Sequence, residues 1–80
     1  MSTPPLGLPT KRSVTIAGHE TSISLEPVFW EALEAAAVAQ ALPLNALVAR
    51  IDVERLDVAP PPNLTSAIRQ CLLARALADR

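Results

Sequence analysis

Hydroxyl side chains occupy alternate positions on both sides of a short break: Ser13 and Thr15 before it, Ser22 and Ser24 after it. Glu20 shares the second row, Lys11 and Arg12 stand ahead of the first, and His19 sits at the break. A hydroxyl both donates and accepts hydrogen bonds, so a row of them suits the recognition of varied polar edges. Catalysis asks for more, because a nucleophile needs a base within reach and an acid–base pair needs groups held in distinct surroundings. With one His, one Cys and no Tyr, the chain has few groups for such work. Glu31 and Glu34 lie one turn apart with no His or Cys near them, the pattern of a solvated helix face. No glycine-rich phosphate loop and no metal-ligand spacing occurs in the sequence. The residue types therefore point to a binding protein, not an enzyme, and to no cofactor.

The elements that must hold these side chains follow from periodicity. Alternation with a period of two describes strands with one dry face and one wet face. Strands are expected at about residues 12–17 and 20–25. Val14 and Ile16 face away from Ser13 and Thr15; Thr21, Ile23 and Leu25 face away from Glu20, Ser22 and Ser24. Gly18-His19 is the expected turn, since glycine supplies a positive φ cheaply. The residues alone leave open whether Ser13–Ala17 folds back as a hairpin or extends the N-terminal arm. That arm, residues 1–10, holds three prolines and a glycine and is expected to be disordered.

Three helices follow, at about residues 27–40, 44–55 and 63–78. Pro27 suits a first helical position, where a missing N–H costs nothing, and Glu26 and Glu31 complement the helix dipole. Phe29, Leu33, Ala36 and Ala37, with Trp30 beside them, form one apolar stripe; Leu44, Leu47, Val48 and Ile51 form a second. Pro60-Pro61-Pro62 is a stiff break, and Asn63 is placed to cap a third helix carrying Leu64, Ile68, Cys71 and Leu72 on one face. The residues of 11–80 thus read as one α+β domain, mostly helical.

Eighty residues make a small domain, yet half of them are hydrophobic. That is more apolar material than a chain this short hides comfortably, and a second copy is the simplest cover. A net charge of −1 argues against a non-specific nucleic-acid coat protein but leaves room for a specific binder with local positive charge. Plentiful aliphatics exclude disorder throughout. Cys71 is the only cysteine, so no internal disulfide implies an oxidising compartment. The opening Ser-Thr-Pro-Pro lacks the basic-then-apolar pattern of a leader, and no apolar run reaches membrane-spanning length. A cytoplasmic location without a membrane partner is expected.

The run Lys11-Arg12-Ser13-Val14-Thr15-Ile16-Ala17-Gly18-His19, then Thr21-Ser22-Ile23-Ser24-Leu25-Glu26, Phe29-Trp30-Glu31-Ala32-Leu33, Leu44-Asn45-Ala46-Leu47-Val48 and Ile51-Asp52, resembles the small bacterial ribbon-helix-helix DNA-binding proteins. Asn63–Arg69 extends the likeness, which covers roughly Lys11 to Leu77. The resemblance implies a ribbon-helix-helix homodimer. Its antiparallel β-ribbon would form between two chains, with an extra N-terminal strand and a third helix in each. It implies a sequence-specific regulator of transcription whose ribbon enters the major groove of double-stranded DNA. Ser13, Thr15, Glu20, Ser22 and Ser24 would face the bases. Lys11, Arg12 and His19 would flank them at phosphate, and the amides at Leu44 and Asn45 would hold phosphate at the start of the second helix. The dimer interface would draw on Ile23, Leu25, Phe29, Trp30, Leu33, Leu47, Val48 and Ile51. The chain departs from the family pattern at Glu20, where members commonly carry a basic residue, and at Pro43, where a Ser or Thr cap is usual. A second function class is an antitoxin-like or adaptor module that grips a protein partner through the third helix, motivated by the proline break and the apolar helix after it.

Overall fold

A computed structural model describes residues 6–80. Five elements follow in order: β1 (Thr10–Ile16), β2 (His19–Leu25), α1 (Pro27–Ala39), α2 (Leu44–Arg55) and α3 (Leu64–Ala78). Most of the expected arm lies at the edge of this range. Residues 1–5 fall outside the described residues, Leu6–Pro9 forms neither strand nor helix, and Thr10 already belongs to β1.

The two strands pair antiparallel within one chain, from Thr10 opposite Leu25 to Ile16 opposite His19. The segment whose course the residues left open therefore folds back as a hairpin. Its turn is Ala17-Gly18, one residue earlier than Gly18-His19, with φ of 51° and 84°. Two consecutive positive φ values give the twist that matches right-handed strands in a two-residue hairpin. Gly18 takes that conformation freely, whereas Ala17 carries a steric penalty of roughly 1–2 kcal/mol.

This pairing joins β1 to β2 of one chain, and the other edge of β2 stays outside the hairpin. In a hairpin closed by Ile16 and His19, hydrogen-bonded pairs alternate from there. The N–H and C=O groups of Glu20, Ser22 and Ser24 consequently point away from β1.

The dry face is Val14 and Ile16 from β1 with Ile23 and Leu25 from β2, all buried. Beneath it lie Trp30, Leu33, Ala36 and Ala37 of α1, Leu47, Val48 and Ile51 of α2, and Ala67, Ile68 and Leu72 of α3. Among the described residues no polar or charged side chain is buried. Ile23, Leu25, Trp30, Leu33, Leu47, Val48 and Ile51, assigned above to a dimer interface, are each at most 4% exposed in one chain, and Phe29 is half-buried. The reason is α3: its inner stripe closes over the sheet and α2, so one copy covers them unaided.

Helix ends explain the corners. After α1, Ala41 adopts φ 55°, while its N–H donates to the Val38 carbonyl and that of Leu42 to the Ala37 carbonyl, at 3.0 and 2.9 Å. This left-handed cap satisfies the last carbonyls and turns the chain into α2. Pro43 caps α2 without a side-chain hydrogen bond. Asn63 caps α3, its side-chain oxygen accepting from the Ser66 N–H at 2.8 Å and from the Thr65 hydroxyl at 3.0 Å. Arg55 donates to Asp52 at 2.7 Å and to the Pro62 carbonyl at 3.3 Å, tying the proline segment back to α2. Among the described residues no single helix is long and apolar enough to cross a membrane.

Candidate nucleic-acid interface

Cross-strand partners share a face of an antiparallel sheet. The pairs Lys11–Ser24, Ser13–Ser22 and Thr15–Glu20 therefore place six polar side chains on the face turned away from the helices. Ser24 is half-buried and the other five are exposed. Ser13 and Ser22 stand opposite each other at the middle, with Lys11 at one end and Glu20 at the other. The two charges cancel, leaving a neutral face dominated by four hydroxyls. Among the described residues none of these six side chains is committed to a hydrogen bond or ion pair. Successive residues on one face lie about 6.8 Å apart at about 3.4 Å per residue. That is close to two steps of a nucleic-acid helix, which rises about 3.4 Å per base pair.

Arg12 is not with them. It shares parity with Val14 and Ile16, and it turns toward α1. Its guanidinium lies 4.4 Å from the centroid of the Trp30 ring and donates to Glu34 at 2.9 Å. The Trp30 indole N–H donates in turn to the Thr10 carbonyl at 2.8 Å. Arg12, Trp30 and Glu34 thus pin the open end of the hairpin to α1. His19 likewise lies on the helix side of the sheet, exposed, where it lines a cleft with Thr21, Asp52 and Arg55 near the turn. Leu44 packs partly into the core and Asn45 is exposed at the first turn of α2. The signal that places Arg12 was in the sequence: strand parity assigns position 12 to the dry side.

Electrostatics elsewhere are structural. Arg69 donates to Glu26 at 2.9 Å across the start of α1, and that hydrogen bond holds the Glu26 carboxyl below its usual pKa. The Arg69 guanidinium also lies 5.5 Å from the Phe29 ring centroid. Burial, and secondarily the charge of Glu54, pushes the half-buried Cys71 thiol up, which favours an inert thiol. No group of three or more His, Cys, Asp or Glu residues that could hold a metal ion occurs among the described residues.

The hairpin with its polar outer face, joined directly to two helices crossing at 99°, is the arrangement that decides the family. Comparison with known families matches residues 9–76 to the ribbon-helix-helix domain. The chain belongs to the ribbon-helix-helix family. No curated protein and no solved structure gives a match to it. The ribbon-helix-helix match takes in both strands, α1, α2 and α3 as far as Ala76, so the third helix is part of the matched unit. Since the inner stripe of α3 is spent on the domain's own core, the motive for a separate protein partner on that helix is reduced to its outer residues, such as Leu73 and Leu77.

Proposed function

We propose that this ribbon-helix-helix protein is a sequence-specific DNA-binding regulator of transcription. In this reading it is a homodimer and lays the polar face of its β-ribbon into the major groove. The observation that supports this best is the single face carrying Lys11, Ser13, Thr15, Glu20, Ser22 and Ser24, with the opposite face sealed against helices. A two-stranded ribbon fits a major groove about 12 Å wide, and its outward side chains reach base edges there. Serine and threonine read several edges permissively, and Glu20 is suited to accept from the amino group of cytosine. Lys11 would sit at phosphate, as would the free amides at Leu44 and Asn45 at the start of α2. His19 would approach the backbone beside the turn. The setting would be the cytoplasm, where a lone thiol stays reduced.

Arg12 enters this reading as a positioning residue: stacked on Trp30 and paired with Glu34, it fixes the angle of the ribbon. Selection of binding sites from random duplexes, followed by titration of the selected site, tests the proposal. Enrichment of one motif, with selectivity reduced by Ser22→Ala plus Ser24→Ala, is the expected result. Failure to enrich any motif at low salt, with the protein folded, would overturn it.

A further inference from the structure

The most apolar concavity among the described residues is lined by helices alone. Helices α1 and α3 run side by side in the same direction, Phe29 beside Arg69 at one end and Ala39 beside Asp79 at the other. Between them is a groove of about 320 Å³ formed chiefly by Val28, Phe29, Ala32, Leu72, Leu73 and Ala76. Only Arg69 and Gln70 bring polar groups to its wall, and Gln70 is already bonded to the Ser66 hydroxyl at 3.0 Å. The lip is open to solvent at Val28 and Leu73.

We infer that this groove binds a free aliphatic carboxylate, its chain lying along the apolar wall and its head meeting Arg69. Ligand sites are concavities of about 300–1,000 Å³, mostly apolar, with a few polar groups that fix orientation. This groove has that character at the small end of the range, which suits a slender chain. Ala76 stands two helical turns beyond Arg69, about 11 Å along the axis at about 5.4 Å per turn, so the chain is of medium length. Charge selects the head. Helix α3 carries Arg69 and Arg75 and no acid. The Arg69 Nε and Nη2 both donate to one oxygen of Glu26, at 3.2 and 2.9 Å, and the guanidinium lies 5.5 Å from the Phe29 ring centroid. A guanidinium has five N–H donors, so those that Glu26 leaves unused are open to a second carboxylate.

The other charged groups nearby serve this purpose less well. Arg75 is exposed and carries no ion pair among the described residues, so water screens it, whereas Arg69 is held in place by Glu26 and Phe29 before a ligand arrives. Glu31 and Glu34 of α1 do not line the groove, so a cationic chain would find no carboxylate in its wall. In the cleft beside the hairpin turn Arg55 is paired with Asp52, and no comparable apolar wall adjoins it. Glu26 is both the clamp on Arg69 and its competitor, since its carboxylate occupies donors that a ligand head would use. That double role gives the site a signature that a structural ion pair lacks.

The inference uses none of the DNA contacts proposed above, so the full chain without DNA tests it. Decanoate is titrated while the methyl resonances of Ala32, Leu73 and Ala76 are followed, and calorimetry gives the affinity. Saturable binding is expected, with a dissociation constant of about 1 mM or tighter, weakening about two- to fourfold for each methylene removed in passing to octanoate. Decylamine is expected to bind at least about tenfold more weakly than decanoate. Arg69→Gln should weaken decanoate about tenfold, and Glu26→Gln should strengthen it about threefold by freeing donors on Arg69. Ala76→Leu, at an exposed position, should weaken it by filling the groove. Equal weakening by Arg69→Gln and Glu26→Gln would mark the pair as structural and overturn the assignment of the head. No saturable response to decanoate, or an equal response to decylamine, overturns the site. Groove shifts that follow protein concentration and ignore decanoate overturn it in favour of a protein cover. Pelleting with phosphatidylglycerol vesicles without a response to free decanoate overturns it in favour of a lipid surface.

Discussion

Replacing Arg12 by Ala separates two roles that the sequence alone merges. Lys11 and Arg12 are adjacent and basic, yet strand parity sends Lys11 outward and Arg12 onto Trp30 and Glu34. The ion pair is exposed on both sides, 42% and 57%, so it contributes about 0.2–1 kcal/mol. Stacking of a partly exposed guanidinium on Trp30 adds about 0.5–1 kcal/mol. One guanidinium makes both contacts, so the contributions are not independent and a loss of about 1 kcal/mol is expected. For a domain of this size that lowers the melting temperature by about 4–8 °C. Lys11→Ala, by contrast, should leave the melting temperature unchanged and reduce the magnitude of the salt slope of DNA binding by about 0.9. Thermal melts followed by circular dichroism and anisotropy titrations over a salt series measure both quantities on both variants. The reasoning is refuted if Arg12→Ala melts like the wild type while flattening the salt slope as much as Lys11→Ala does.

Other substitutions test the scaffold. Ala41→Gly relieves the left-handed cap after α1, at φ 55°, and should raise stability by about 0.5–1 kcal/mol in urea unfolding. Trp30→Phe keeps one aromatic ring but removes part of the buried indole and the N–H that donates to the Thr10 carbonyl; a loss of at least about 1–2 kcal/mol in the same assay is expected, with the start of β1 exchanging its amides faster. Because the Arg69 hydrogen bond lowers the folded-state pKa of Glu26 below 4.5, its contribution to stability is present above the unfolded pKa and is lost as pH falls through the folded one. Glu26→Gln should therefore destabilise at pH 7, with the difference from wild type closing as urea midpoints are followed down through that acid window.

The face of the ribbon was legible because parity is a strong constraint: a slip of one residue would send Val14, Ile16, Ile23 and Leu25 into water. Helix extents were legible from Pro27, Pro43 and Asn63, each of which starts a helix for a local reason. The turn was displaced by one residue because Ala17 gives no sign of accepting a positive φ. Arg12 was grouped with Lys11 because adjacent charges look alike in a sequence, although position 12 has the parity of the dry face. What could not be read was how much of the core one copy closes. Leu47, Val48 and Ile51 pack with Ala67, Ile68 and Leu72 of α3 in one chain, and nothing local in α3 says which surface it will cover.

The central claim is that the outward face of the hairpin meets DNA. Amide chemical shifts of the labelled protein, recorded while a selected duplex is added, test it most directly. The account predicts that the largest perturbations fall on Lys11, Ser13, Thr15, Glu20, Ser22 and Ser24, with smaller ones at Leu44 and Asn45. Perturbations confined to the helices, with those strand amides unmoved at saturation, would contradict it.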